Sequence, residues 1–221
     1  MGNCALQREN MVESQIRPSD ITDRRITSAM REIPRESFVP ASLAALAYMD
    51  DALAVAPGRS LMAPRVFARM LQLADIETDQ KVLIVGALFG YSAAVMSSMA
   101  REVVALDSNA AAVKVAAEAL KVHGIANVTA VCGPLTGGWQ ALAPYDVILV
   151  EGAVEQVPLQ LIEQLAATGR LVAIELAGGV GRAIVLQKSG SDGKGGISRR
   201  IAFDASAQLL PGFEQAKSFA F

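Results

Sequence analysis

Gly86, Gly90 and Asp107 are the residues whose types and spacing suit the handling of a ligand. The stretch KVLIVGALFGYSAAV, residues 81–95, carries a continuous apolar segment through a turn into a helix-forming run. Gly86 and Gly90 stand at the ends of that turn, with Ala87, Leu88 and Phe89 between them. Asp107 closes the next apolar segment, 21 residues after Gly86. A carboxylate at such a place can accept hydrogen bonds from both ribose hydroxyls, so the combination points to an adenosine-containing ligand. A plainer reading stays open: Gly86 gives only a sharp turn, and Asp107 only caps a helix beginning near Asn109. Glu151, after the apolar run YDVILV, is either a solvated loop acid or a cleft-mouth group for an amine or a substrate nitrogen.

Other chemistries are poorly supplied. His123 is the only histidine, and Cys4 and Cys132 match no metal spacing, so neither a metal site nor a cysteine–histidine nucleophile is expected. Twenty basic and 22 acidic side chains give a net charge of -2, which makes no electrostatic case for nucleic acid. No uninterrupted apolar run reaches the roughly 18 residues of a membrane span. The first 15 residues lack the apolar core of a signal peptide, and a reducing, cytoplasmic setting fits.

These residues need a scaffold, and the pattern supplies one. Residues 8–33 have helical spacing, broken at Pro18, with a new N-cap expected at Ser19-Asp20. Residues 32–64 are loop-rich with four prolines and resemble a packed cap, and 65–74 return to helical spacing. Strands are then predicted at 81–85, 102–107, 127–131, 145–150, 170–176, 182–188 and 197–205, and helices at 90–100, 110–124 and 157–169. SDGKGG, residues 191–196, reads as a hairpin turn, and the last nine residues could add an edge strand. Strand and helix alternate, which argues one three-layer α/β domain with a mostly parallel sheet. Its cap would span residues 1–75 and its core 76–221.

Several blocks, in order, resemble the protein-L-isoaspartate O-methyltransferase family. MVESQIRPSDITDRRITSAMREIPRESFVP is similar to the family's paired helices and M-x-x-(V/I)-P-R-E-x-F-V-P signature. AYMDDALAVAPGRSLMAP lies ungapped on its A-Y-x-D … G-Q-T-I-S-Q-P segment. KVLIVGALFGYSAAV lies on its first cofactor motif, and Gly137-Gly138-Trp139 with APYDVILV on a later strand entry. The resemblance covers nearly all the chain from Met11 onward. It implies a Rossmann-like methyltransferase fold with a C-terminal antiparallel hairpin, and S-adenosylmethionine as cofactor. The implied reaction is methylation of an isoaspartyl carboxylate in a protein or peptide, whose ester collapses to a succinimide and reopens partly to aspartate. A carboxylate is already anionic near neutral pH, so no general base is required, and the site has mainly to align the reactants. By the same resemblance Gly86, Gly90 and Asp107 hold the cofactor, while Ser60 and Asp50 place the acceptor; Tyr91, at the helix start, either lines the cofactor pocket or packs under the cap.

The departures fall at the same places. The motif's strand-end acid is Ile84, its central glycine is Leu88, and Phe89 stands where a small residue is usual. If position 88 needs positive φ, a leucine there costs about 1–2 kcal/mol. Leu88 and Phe89 would fill ligand volume or turn into the core. The second hydroxyl and the amide of T-I-S-Q-P are Met62 and Ala63, and the acid after the third strand is Pro134. Three functions are therefore carried forward: isoaspartyl repair, methyl transfer to another carboxylate or small molecule, and a non-catalytic binding relative.

Overall fold

A seven-stranded sheet organises the computed structural model, which describes residues 4–190 and 196–215. In chain order the elements are α1 (Cys4–Met11), α2 (Arg24–Glu32), β1 (Leu53–Ala56), β2 (Arg59–Leu61), α3 (Pro64–Ala74), β3 (Lys81–Val85) and α4 (Tyr91–Ser97). They continue with β4 (Glu102–Asp107), α5 (Ala110–Val122), β5 (Val128–Cys132), β6 (Tyr145–Val154), α6 (Leu159–Glu163), β7 (Leu165–Ala177), β8 (Val180–Lys188) and β9 (Ile197–Asp204). The sheet order is β5-β4-β3-β6-β7-β8-β9. The first five strands in that order are parallel, and β8 and β9 add antiparallel to the far edge. β1 and β2 form a separate hairpin in the cap.

Strand alternation divides the interior into two layers. Val82, Ile84, Val103, Ala105, Val147 and Leu149 face one side, where they pack with the cap and with α4. Leu83, Val85, Val104, Leu106, Ile148 and Val150 face the other, against α6, Trp139, Leu210 and Phe213. Side chains at i and i+2 share a face, so a strand covered on both sides must be apolar throughout. That is the reason β3, β4 and β6 read as unbroken apolar runs. The cap and core share one apolar cluster, running from Met11 through Phe38 and Tyr91 to Val185.

Four local expectations need correction. The new N-cap is Asp23, whose carboxylate accepts from the Arg25 N–H at 2.8 Å. Ser19 instead donates back to the Gln15 carbonyl, and Asp20 turns the chain at φ 61°. The loop-rich cap contains the β1–β2 hairpin. The helix expected over 157–169 ends at Glu163. Leu165 pairs with Tyr145, and a Cβ on Gly169 would lie 2.8 Å from the Tyr145 carbonyl oxygen, so sheet pairing overrides the helix-forming run. Finally, β6 continues four residues beyond Val150. Most of the predicted 191–196 turn lies outside the described residues. So do six of the last nine residues, and the described Phe213 is buried without joining a strand. No helix among the described residues is long and apolar enough to cross a membrane.

Candidate functional site

The sheet order reverses between β3 and β6, and ligands of such sheets bind in the crevice outside the strand ends at that point. Gly86 leaves β3 there at φ 90°, and its N–H donates to the Leu106 carbonyl at 2.8 Å. Leu88 follows at φ 47°, a left-handed conformation that a leucine rarely adopts. The Leu88 N–H then points at Asp107 Oδ2, 2.8 Å away. Asp107 is fully buried at the end of β4. Its Oδ1 also accepts from the Asn109 N–H at 3.0 Å, while Asn109 itself caps α5 through the Ala111 and Ala112 amides.

The remaining acceptor positions of Asp107 are taken by Arg59. Its Nη2 donates to Oδ2 at 2.8 Å and its Nη1 to Oδ1 at 3.2 Å, and Nη2 also reaches the Gly86 carbonyl at 3.0 Å. Arg59 opens β2, and a bulge between Ala54 and Ala56 shifts the hairpin register beside it. Bulges of this kind re-aim side chains. Arg59 and Leu61 face inward, and Ser60 between them faces out.

A second polar group lies beside this pair. Glu151 is the first residue of β6 beyond Val150, and parity turns it to the face of Val147 and Leu149, under α4. It is buried and hydrogen-bonded with the Ser92 hydroxyl at 2.5 Å. Burial pushes its carboxyl up to about 7, against the opposing pull of that hydrogen bond and of Arg35 and Arg59, and Asp107 pushes the same way as burial. Arg35 is also fully buried, which lowers its pKa. Its Nε and Nη2 donate to the Ala47 and Met62 carbonyls at 2.7 and 2.6 Å, and its guanidinium carbon lies 4.8 Å from the Tyr91 ring centroid.

Ser206–Leu210 roofs the crevice. The Ala153 N–H donates to the Gln208 carbonyl at 2.8 Å, and the Leu210 N–H to the Ala153 carbonyl at 2.9 Å. Gln208 Oε1 accepts from Ser60 Oγ at 2.7 Å, which ties the hairpin to the roof. The cavity left among Arg59, Met62, Glu151 and Leu210 is about 10 Å³. That is the room of about one water, against several hundred Å³ for an ordinary ligand site. On the outer side of Ser60 lies a cleft of about 570 Å³, lined by Asp50, Ser60, Arg65, Arg69, Phe203 and Gln208 among others.

The residues expected to act therefore divide. Asp107 and Gly86 meet at the crevice, and Asp50 and Ser60 meet at the outer cleft. Of the two places expected for Tyr91, the structure gives the one under the cap and not the cofactor pocket: it packs between Phe38 and Phe67 at the start of α4, where Tyr91 to Met96 are all buried. Gly90 serves helix packing: a Cβ there would lie 3.1 Å from Ala116 Cβ of α5. Leu88 is buried in the core and Phe89 packs against it. Glu151 is no solvated loop acid. The His123 ring stacks on Phe38, with centroids 5.4 Å apart. Arg59 was not expected at all. Its signal was an arginine aligned with the glutamine of G-Q-T-I-S-Q-P.

A doubly wound, mostly parallel sheet with an antiparallel edge pair, a glycine turn after its first strand and an acid ending its second defines a Rossmann-like methyltransferase fold. The family model for protein-L-isoaspartate(D-aspartate) O-methyltransferase matches residues 6–198. Protein-L-isoaspartate O-methyltransferase 2 of Shewanella sediminis is 39% identical over 165 residues, 75% of this chain and 68% of that protein. The Protochlamydia amoebophila protein-L-isoaspartate O-methyltransferase is 40% identical over 162 residues, 73% of this chain and 77% of its own. A solved structure of a protein-L-isoaspartate O-methyltransferase superposes with TM-score 0.79 and 25% identity, covering 93% of this chain and 66% of that one. A Plasmodium falciparum structure named for the same enzyme, in complex with S-adenosyl-L-homocysteine, gives 0.78 at 20% identity, covering 92% and 97%. The chain belongs to the protein-L-isoaspartate O-methyltransferase family.

S-adenosylmethionine is the cofactor of that family. The crevice as folded does not fit it. Both Asp107 oxygens are already engaged, and Arg59 stands where a ribose would approach.

Proposed function

We propose that this chain recognises isoaspartyl carboxylates at the cleft lined by Asp50, Ser60, Arg65 and Arg69, and that methyl transfer to them waits on opening of the adjoining crevice. The observation that carries this reading is the cleft itself, about 570 Å³, which shares Ala52, Ser60 and the 206–208 segment with the crevice cavity. Its two arginines, Arg65 and Arg69, are the groups that suit a carboxylate, and they stand among four acids, Asp20, Asp50, Asp51 and Asp204. Arg65 lies 3.7 Å from Asp50, and the Arg69 guanidinium carbon lies over Phe203, 3.7 Å from the ring centroid. Stacking on a ring leaves the edge of a guanidinium to donate hydrogen bonds. The acceptor is ionised near neutral pH, so the cleft needs no base, only cations and hydroxyls to orient it.

The test compares an isoaspartyl peptide with its aspartyl twin. Fluorescence anisotropy without cofactor should show the isoaspartyl peptide binding about 10-fold or more tightly. Arg69→Ala should abolish that preference. Equal binding of the twins would remove isoaspartate as the acceptor. Methyl transfer is then followed with labelled S-adenosylmethionine. A second reading, a binding protein that never transfers a methyl group, is favoured by the filled crevice. It predicts the same peptide preference with no transfer, even after Arg59 is replaced.

A further inference from the structure

We propose that Arg59 is an internal substitute for the nucleoside, and that it determines by occupancy that the crevice excludes adenosyl ligands. An ionised carboxylate offers about four acceptor positions. Asp107 uses four: Oδ1 takes Arg59 Nη1 and the Asn109 amide, and Oδ2 takes Arg59 Nη2 and the Leu88 amide. The two backbone amides belong to the turns that end β3 and β4 and hold the carboxylate in place. The two guanidinium nitrogens present parallel N–H donors to both oxygens, the arrangement in which a vicinal diol would present its O–H groups. Nη2 also covers the Gly86 carbonyl, the backbone that a glycine turn otherwise bares to a ligand.

The neighbours support the same occupancy. A Cβ on Gly86 would meet Arg59 Nη2, the Glu151 carbonyl oxygen and Leu210 Cδ2, each at 3.3 Å, so the arginine and the roof both close on the turn. The side chain of Arg59 is 7% exposed and that of Asp107 0%. The pair is therefore a closed, desolvated unit rather than a surface contact that a ligand would brush aside. Displacing Arg59 would leave a buried carboxylate or a buried guanidinium unpartnered until the ligand replaced it. An arm of the chain's own sequence competes at very high effective concentration.

The inference concerns the cofactor side of the proposed site and is tested apart from its acceptor. The wild-type protein is titrated calorimetrically with S-adenosylhomocysteine to about 1 mM, a limit that reads out affinities weaker than micromolar by about 1000-fold. Silence is expected. Micromolar binding by the wild type overturns the proposal on its own, whether or not any variant folds. Arg59→Gln shortens the side chain and removes the fork, and is expected to gain affinity by about 100-fold or more. A folded Arg59→Gln protein as silent as the wild type overturns it too. The double variant R59Q/D107N removes the diol acceptor and is expected to lose most of the gain, which a merely structural arginine would not predict. Binding of S-adenosylhomocysteine without isoaspartyl preference would leave the arginine inference standing and remove the acceptor reading. Wild-type methylation of the peptide would do the reverse.

Discussion

Glu151→Gln should change how stability depends on pH more than it changes stability itself. Glu151 is enclosed beneath α4, bonded with Ser92, and its carboxyl is pushed from 4.5 to about 7, chiefly by burial. A raised acid favours the folded state while it is protonated. Its contribution is fully present below about pH 4.5 and is lost as pH rises through about 7. A shift of that size corresponds to about 3 kcal/mol, of which about 2–3 kcal/mol falls between pH 5 and pH 8. Glutamine keeps the shape and a hydrogen bond to Ser92 but cannot ionise. The variant should therefore gain on the wild type by about 2–3 kcal/mol between those pH values, whatever its offset at pH 5. Urea unfolding of both proteins, followed by Trp139 fluorescence across that range, measures the difference while the other titrating groups cancel. Parallel stability curves would refute the reasoning, and a variant that loses ground as pH rises would reverse its sign.

Two further substitutions test the loop. Leu88→Ala keeps the left-handed backbone and removes a buried side chain, so it should cost about 2–4 kcal/mol. Leu88→Gly removes the same side chain and relieves the backbone, so it should be more stable than Leu88→Ala by about 1 kcal/mol, the inverse of the usual order, and chemical denaturation of the pair decides. Gly90→Ala should destabilise by about 1–3 kcal/mol, because its Cβ meets Ala116 at 3.1 Å and its φ is 90°; an unchanged melting midpoint would contradict this.

The sheet was legible because its strands are covered on both faces. Lys81–Val85 and Glu102–Asp107 are found with the bounds predicted for them, since an apolar run closed by a glycine or an acid leaves little room for register error. The helix over 157–169 was not legible past Glu163, because Gln164 and Gly169 owe their places to Gly137, Trp139 and Tyr145, contacts that no local pattern encodes. Glu151 was hidden by one residue of strand length. Parity would have put it under α4 had β6 been read as continuing past Val150.

By itself the sequence determined the layer order, the glycine turn, the terminal acid and the family, since each rests on periodicity or on short motifs that neighbouring residues carry. It also told that Leu88 would be strained if its φ were positive, and the φ is 47°. Only the tertiary structure decided what the crevice holds. Arg59 and Asp107 stand 48 residues apart, joined through a bulged hairpin that Ser60 ties to the roof at Gln208. A buried ion pair is made by the geometry of approach and by exclusion of water, and neither leaves a mark in the linear order of residues.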